Sequence, residues 1–396
     1  MSVRLDAIKF NHNPNTVHDN AINIRRNATT FVDVPEWRAG VSVNAEDSLA
    51  AYAKKETAGQ TLTIQTRFRW NSIEPAKVDI RALDATVEKE GPSGCLGLLI
   101  RIIRALFGNV LGAVKTRSVS FGGAGLGNWE TFQLVGVKLS QVGVGIHLTS
   151  WRWQYRRRGG SWQDFDTSNH RIYVVLETPT APWQQLPYAA SNTQLPWTDV
   201  LDKACGWAIG AVDRDTAVAR ITQQVYDLGN SVIQYDCPGG GSTHYASPGF
   251  DCTAFLERIA GGPGLGQYVN CTDCATFVST FANALGCDFW QSRMGWGFSL
   301  NPLLAIGSST WQTACGWGGF SYHEVAWTGA CDAVDTVCDA CLQVDGDADP
   351  TSAPHTPLLP VNMVFGTPGS GDYRDKLSPA GSCDPQPGSR TRRAVF

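Results

Sequence analysis

The sequence predicts an α+β protein in which a β-rich, sandwich-like domain precedes a core that contains helices. In the first half, residues 61–70 alternate apolar with polar side chains, as a half-buried strand requires. Four prolines between residues 178 and 197 then indicate a linker. Beyond the linker, residues 215–228 place apolar side chains every three or four positions, which is the period of an amphipathic helix.

The chain has 396 residues, which exceeds the size of one ordinary hydrophobic core and fits two domains. The predicted ranges are a β-rich, sandwich-like domain at 1–185, a linker at 186–197, a core at 198–345 and a tail at 346–396. Pro, Gly, Ser and Asp dominate the tail. We therefore expect it to be extended, with one strand near 361–365.

A β-hairpin is predicted near the end of the first domain. Residues 151–157 alternate and lead through Arg158-Gly159-Gly160 into a second run at 161–165, which is typical of a hairpin turn. A short apolar strand follows at 171–177. Strands connected in this way favour a sandwich-like domain.

Composition and charge exclude some classes of partner. The net charge is −4 and the pI is near 6.0, so the chain lacks the electrostatic footprint of a nucleic-acid-binding protein. The first residues lack the basic start, apolar run and cleavage site of a secretory signal. With twelve cysteines and no visible signal, we expect a cytoplasmic, mostly reduced protein, or one exported without a signal peptide.

One segment, residues 95–114, is apolar enough to suggest a membrane. It contains Arg101 and Arg104, which make it a poor spanning helix. Its apolar residues fall at helical spacing, so the favoured interpretation is an amphipathic helix that covers a sheet. The alternative is an element that lies on a membrane surface.

The strongest local motif is a helix start in the second half. Asn270 is a good N-cap and Asp273, three residues later, completes a variant of the capping box. Cys271 then occupies the first helical position, where unpaired N–H groups and the helix dipole favour a thiolate. The same N–H groups suit an oxyanion on an attacked carbonyl. Cys274 belongs to the apolar stripe of this helix, which ends at Gly286, and is predicted to pack.

A thiolate nucleophile needs an acid/base partner, and only two histidines follow Cys271 in the chain. His355 lies in the Pro-rich tail. His323 lies in a strand-like run, and a rigid strand position suits a catalytic imidazole. Asp335 and Asp339 share one face of the next predicted strand, at 334–344. Alternation therefore leaves both open as the group that orients the imidazole.

The motif Cys271-x-Asp273-x-Ala275, closed by Leu285-Gly286, resembles the transglutaminase-like superfamily of cysteine enzymes. In that family the nucleophile opens such a helix, and the histidine follows on a strand some fifty to sixty residues downstream. The resemblance covers about residues 200–345. It implies a papain-like core of the transglutaminase type behind the N-terminal domain.

The resemblance also assigns roles. His323 lies 52 residues after Cys271, and Asp339-Ala340-Cys341 matches the Asp-Ala-Thr step of the family, which favours Asp339 over Asp335. By analogy with papain-like enzymes, Gln267 is the candidate oxyanion donor. The implied activity is thiol attack on an amide carbonyl of a protein or peptide through a thioester. Water would make the chain a cysteine protease or deamidase, an amine would make it an acyltransferase, and neither needs a cofactor or metal.

The alternative is a binding module with structural or zinc-bound cysteines. Cys271-x-x-Cys274 and Cys338-x-x-Cys341 have the paired spacing of a zinc site, although 63 residues separate the pairs. A glycine-rich run at 238–242 lacks the Lys-Ser/Thr of a phosphate loop. It is predicted to form a flexible lip of the cleft.

Overall fold

A computed structural model describes residues 2–13, 15–85, 109–184, 194–379 and 390–396. These residues form a mixed α and β protein with a large curled sheet and few helices. They fall into two units. The first contains Met1–Thr178 and Gln185–Val212, and the second contains Pro179–Gln184 and Asp213–Phe396.

The first unit is built mainly from strands. In chain order these are β1 Val3–Lys9, β2 Trp37–Arg38, β3 Leu49–Ala53, β4 Thr63–Trp70, β5 Ala76–Asp84, β6 Ala113–Phe121, β7 Gly125–Leu126, β8 Glu130–Val135, β9 Gly145–Arg157 and β10 Gln163–Val175. Its described α-helices are α1 Lys54–Thr57 and α2 Thr198–Trp207. Short 3₁₀ turns occur at Ala45–Asp47 and Leu139–Gln141.

All ten strands belong to one sheet with the order β2-β1-β4-β8-β6-β5-β9-β10-β3, and β7 pairs with β4. Every pair is antiparallel except β10–β3. Strands β1 and β10 lie near opposite ends of this order. Even so, the Leu5 N–H of β1 donates to Asp166 Oδ2 of β10 at 2.7 Å, which shows that the sheet curls. The expected sandwich is therefore one continuous sheet that wraps a core rich in aromatic side chains, including Trp70, Trp151 and Trp153.

The unit boundaries differ from the predicted ranges. Helix α2 belongs to the first unit, where the Thr198 N–H donates to the Arg25 carbonyl at 2.7 Å and one helix face is buried. Of the segment at 95–114, residues 95–108 lie outside the described part of the chain, so its helical or membrane-surface interpretation stays a prediction. Within the described part, no helix is long and apolar enough to cross a membrane.

The second unit contains the remaining elements. Its α-helices are α3 Arg214–Asp227, α4 Cys252–Ile259, α5 Cys271–Ala284 and α6 Tyr373–Leu377, with 3₁₀ turns at Leu228–Asn230 and Ala314–Gly316. Its strands are β11 Gln234–Tyr235, β12 Tyr268–Val269, β13 Trp290–Met294, β14 Phe298–Ser299, β15 Leu304–Ala305, β16 Gly319–Phe320, β17 His323–Trp327, β18 Thr336–Cys338, β19 Leu342–Asp345, β20 Pro357–Leu358 and β21 Met363–Val364.

An antiparallel sheet of order β13-β17-β18-β21 positions the candidate site. Helix α5 packs against β17 and is buried along its whole length, so neighbours surround it on every side. The strand predicted over 334–344 is interrupted. Strand β18 ends at Cys338 and β19 begins at Leu342, which leaves Asp339 in the break.

The segment predicted as a loose tail is part of the second unit where it is described. Strand β20 pairs with β19, and β21 pairs with β18 as the edge of the four-stranded sheet. In the last residues, Thr391 forms an isolated β-bridge with Gln291, and Val395 forms one with Phe250. The prediction of a loose tail rested on the Pro/Gly-rich composition. The segment also contains apolar side chains, such as Tyr373, that are fully buried.

Candidate active site

The start of α5 is organised by the predicted capping box. The Asn270 side chain accepts from the Asp273 N–H at 3.1 Å, and the Asp273 carboxylate accepts from the Asn270 N–H at 3.0 Å. These reciprocal bonds fix the chain direction at the helix start. Cys271 is thereby held at the first helical position, with 4% of its surface exposed.

The same helix start anchors residues 236–246, which we call the lip. The Asp273 carboxylate also accepts the backbone N–H groups of His244, Tyr245 and Ala246 at 2.8–3.0 Å. Burial raises the pKa of Asp273, and these backbone donors oppose that effect. The Asn270 side chain donates to the Gly241 carbonyl at 2.8 Å. The lip is therefore tied to the residues on either side of Cys271.

His323 and Asp339 form a buried pair. His323 opens β17 and is fully buried, and its Nε2 lies 2.9 Å from Asp339 Oδ2. Two further donors hold the carboxylate: the Cys341 N–H donates to Oδ1 and the Tyr373 hydroxyl donates to Oδ2, each at 2.8 Å. The strand break before β19 makes this possible, because it turns the Cys341 N–H back onto Asp339.

The His323 ring also interacts with the nucleophile. Nδ1 is buried and makes no hydrogen bond with the described residues, and the Cys271 thiol interacts with the ring in addition to Asp339. Burial lowers the pKa of His323, but the charge and hydrogen bond of Asp339 and the interaction with Cys271 raise it to about 10. Phe320 stacks on the imidazole with ring centroids 5.4 Å apart. The ring is thus protonated at neutral pH and shielded from water.

Cys271 lies in a cleft of about 310 Å³. The cleft is lined by Tyr235, Gly240, Gly241, Asn270, Cys271, Trp317, Gly319, Phe320, Ser321 and Tyr322. A disulfide between Cys237 and Cys315 joins the lip to the loop that carries Trp317, with a Cα–Cα distance of 5.4 Å. The chain was expected to be mostly reduced, and this is one disulfide beside eight cysteine thiols among the described residues. It ties the lip directly before 238–242, the run that was predicted to be flexible.

One glycine of the lip is required by its surroundings. Gly241 has φ +76°, and a Cβ there would lie 3.3 Å from the Trp317 ring. A side chain would therefore meet both an unfavourable backbone conformation and the opposite wall of the cleft. Trp317 itself is 41% exposed and forms the rim.

Tyr235 is a cleft residue that the sequence interpretation did not assign. It ends β11, and its ring packs edge-to-face on Trp317 with centroids 6.1 Å apart. Burial, followed by the proximity of Cys271, raises its pKa far above the ordinary value, so its hydroxyl stays a neutral donor. Tyr235 lies within residues 200–345, the range of the resemblance, which assigned it no role.

Two predicted residues lie elsewhere. Gln267, the candidate oxyanion donor, is exposed and does not line the cleft; its carbonyl accepts from the Gln234 N–H at 2.8 Å as the chain enters β12. Asp335, the alternative orienter, accepts from the Asp332 N–H at 3.2 Å in a turn ahead of β18. The structure therefore brings together Cys271, His323 and Asp339, and it leaves out Gln267 and Asp335.

The four cysteines with the paired spacing of a zinc site do not come together at one point. Cys274 and Cys341 contact each other, and burial raises the pKa of both thiols. Cys338 instead accepts from the Asn362 N–H at 3.2 Å. Across the described ranges, no three metal-ligating side chains form a group that could hold a metal ion. Cys274 packs in the helix as its position in the apolar stripe predicts.

Comparisons with known proteins add a distant likeness. No protein-family model and no curated protein sequence matches this chain. Among solved structures, it is similar to red sea bream transglutaminase, with 10% sequence identity and a TM-score of 0.36. The match covers 77% of this chain and 50% of the transglutaminase, so the chain spans about half the length of that protein. A likeness this distant does not establish what the chain does.

Replacing Tyr373 by phenylalanine tests the support of Asp339. The change removes one hydrogen bond to the carboxylate and should cost about 1 kcal/mol of unfolding free energy. Because the carboxylate then attracts the His323 proton more strongly, the pKa of His323 should rise. The rate of Cys271 alkylation should change at the pH where His323 loses its proton, a change that we call the high-pH step. In Tyr373→Phe this step should move to higher pH.

The matched control is Tyr245→Phe, whose hydroxyl donates to the Gly266 carbonyl and accepts from the Leu265 N–H rather than contacting Asp339. It should lose similar stability and keep the wild-type alkylation profile. Identical profiles for the two variants would remove Tyr373 from the site.

Proposed function

We propose that this chain is a transglutaminase-like thiol hydrolase or acyltransferase that acts on amide groups of a protein or peptide. The observation that carries the proposal is the buried His323 ring, which is bonded to the Asp339 carboxylate and interacts with the Cys271 thiol, a residue that lines a cleft. Thiol, imidazole and carboxylate in this order are the parts that nucleophilic catalysis requires. The packing of α5 on the strand that carries His323 supports a papain-like core of the transglutaminase type.

The first half of the reaction forms a thioester. The Cys271 sulfur attacks the amide carbonyl carbon, and negative charge develops on the carbonyl oxygen. The Cys271 N–H, which at the first helical position has no partner within the helix, and the Tyr235 hydroxyl are the donors that we assign to that oxygen. His323 then gives its proton to the departing nitrogen, the C–N bond breaks, and an amine or ammonia leaves.

The second half regenerates the thiolate. The neutral imidazole of His323 accepts a proton from water or an incoming amine, which attacks the thioester carbonyl. The C–S bond breaks and Cys271 leaves as a thiolate beside the imidazolium. Asp339 keeps the ring oriented and stabilises its positive charge in both halves. Water yields hydrolysis, and an amine yields a new amide.

The test is turnover of glutamine-containing peptides, measured as ammonia release and as incorporation of a fluorescent primary amine. Wild type should release ammonia, and Cys271→Ala should release none. Cys274→Ala is the matched control, since it removes a thiol one turn later that packs in the helix. If wild type and Cys271→Ala are equally inert, yet both bind peptide, the binding-module alternative replaces this proposal.

A further inference from the structure

A second pocket of about 200 Å³ lies beside the catalytic cleft. The two share Tyr235 as a common wall. The disulfide cysteines Cys237 and Cys315 also line the second pocket, and Trp317, two residues beyond Cys315, lines the cleft. The bridge that ties the lip therefore separates two adjoining cavities of the second unit, and only one of them contains the nucleophile.

The chemistry of the second pocket is neutral. Its floor is apolar and buried, formed by Leu303, Ala305 and Ile306. Its rim is polar and uncharged, and the exposed rim residues include Thr310 and Gln312. Among the described residues that line this pocket or the cleft, none is Asp, Glu, Lys or Arg.

This neutrality constrains what enters. A charged group that moved from water into the second pocket would lose hydration without meeting an opposite charge among its lining residues, which is unfavourable. An uncharged side chain would instead gain apolar contact at the floor and hydrogen-bond partners at the rim. The second pocket therefore selects for neutral groups.

The shared Tyr235 wall suits a single extended ligand that occupies both cavities. An extended peptide advances about 3.3–3.6 Å per residue, so two or three residues are enough to pass the one Tyr235 ring that divides the cavities. A peptide with its reactive amide at Cys271 would then place a neighbouring side chain over the second pocket.

We infer that this second pocket is a substrate subsite that accepts an uncharged side chain two or three residues from the reactive amide of a peptide acyl donor. The inference rests on the proposed function and specifies its substrate class. It makes specificity depend on a cavity that contains none of the catalytic groups.

Filling the pocket is the direct test. Thr310→Trp places a large ring at the rim, and Ser309→Trp is the matched control, because Ser309 is an exposed neighbour that does not line the pocket. The probes are a short glutamine peptide and the same peptide extended on both sides by neutral residues. In Thr310→Trp the ratio of kcat/KM for the extended over the short peptide should fall about tenfold. In Ser309→Trp it should stay at the wild-type value.

Charge at the rim gives a second readout. Gln312→Lys should favour extended peptides with Asp in the flanking positions, and Gln312→Glu should favour those with Lys, each by about threefold to fivefold over wild type. Opposite responses from two substitutions at one position cannot come from misfolding.

The subsite is overturned if Thr310→Trp matches Ser309→Trp on the extended peptide, or if the two Gln312 variants respond alike. Failure of the proposed function looks different, because wild type would then turn over neither peptide. In that event the binding of the labelled extended peptide is measured by fluorescence anisotropy. Loss of binding in Thr310→Trp but not in Ser309→Trp supports the pocket, and equal binding overturns it.

Discussion

Replacing Asp339 by asparagine should lower kcat for amide turnover by about 10²–10⁴-fold. The amide oxygen can still accept from the Cys341 N–H, and the amide NH2 can donate to the Tyr373 hydroxyl, so the local fold should persist. What disappears is the negative charge beside His323. The ring then loses its orientation and the stabilisation of its proton.

The pH dependence follows from the pKa of His323. Asp339 and Cys271 raise that pKa from 6.5 to about 10 in the folded protein. A raised pKa contributes stability that is complete below about 6.5 and is lost as the pH rises to about 10. In Asp339→Asn the charge that raises the pKa of His323 is gone, so the effect of burial lowers that pKa. The pH-dependent contribution to stability should then vanish. The rate of Cys271 alkylation should lose its high-pH step. Urea unfolding from pH 6 to about 10 measures the effect on stability.

Asp335→Asn is the matched control for this prediction. It makes the same chemical change in the turn that Asp335 forms with Asp332, away from the imidazole. It should retain wild-type kcat. The assignment of Asp339 fails if Asp335→Asn loses as much activity as Asp339→Asn.

Replacing Arg393 by alanine should destabilise the second unit by about 3 kcal/mol. Arg393 lies in the last residues of the chain, and its guanidinium pairs with Glu324 at 2.5 Å. Glu324 is 1% exposed, so among the described residues the change leaves this buried carboxylate with the half-exposed Arg293 as its cationic partner. The loss should appear as a lower urea midpoint. Arg214→Ala is the control, since it breaks an exposed pair with Asp215 and should cost less than about 1 kcal/mol.

The effect should reach the cleft. The Thr272 hydroxyl, directly after the nucleophile, donates to Glu324 at 3.0 Å and bonds to the Tyr322 hydroxyl at 3.2 Å. Tyr322 lines the cleft. We therefore expect Arg393→Ala to raise KM for peptides at temperatures where the protein is still folded. A variant with wild-type stability would show that the terminal residues do not hold Glu324 in place.

The parts of the site that sequence could predict are local. Asn270 and Asp273 lie three residues apart, and their reciprocal hydrogen bonds depend only on the helix start that they create. His323 was predictable because a strand alternates its side chains whatever it pairs with. Asn270 and Asp273 form the predicted capping box, and His323 lies in the predicted strand.

The remaining parts depend on contacts between distant segments. Asp339 and Asp335 are equivalent by alternation, and only the strand break after Cys338 separates their environments. Tyr373 reaches Asp339 from a segment whose composition resembles a loose tail. In the first unit, alternation marks the strands, but it does not fix which strands pair. Pairing decides between two sheets and one curled sheet.

The most direct measurement is the rate of Cys271 alkylation by iodoacetamide against pH, mapped by mass spectrometry, in wild type and His323→Ala. We predict that Cys271 reacts faster than the other thiols near neutral pH, and that His323→Ala slows this reaction to the rate of an ordinary cysteine. An equal rate in the two proteins would rule out the thiol–imidazole pair, because the buried imidazole would then have no influence on the Cys271 thiol.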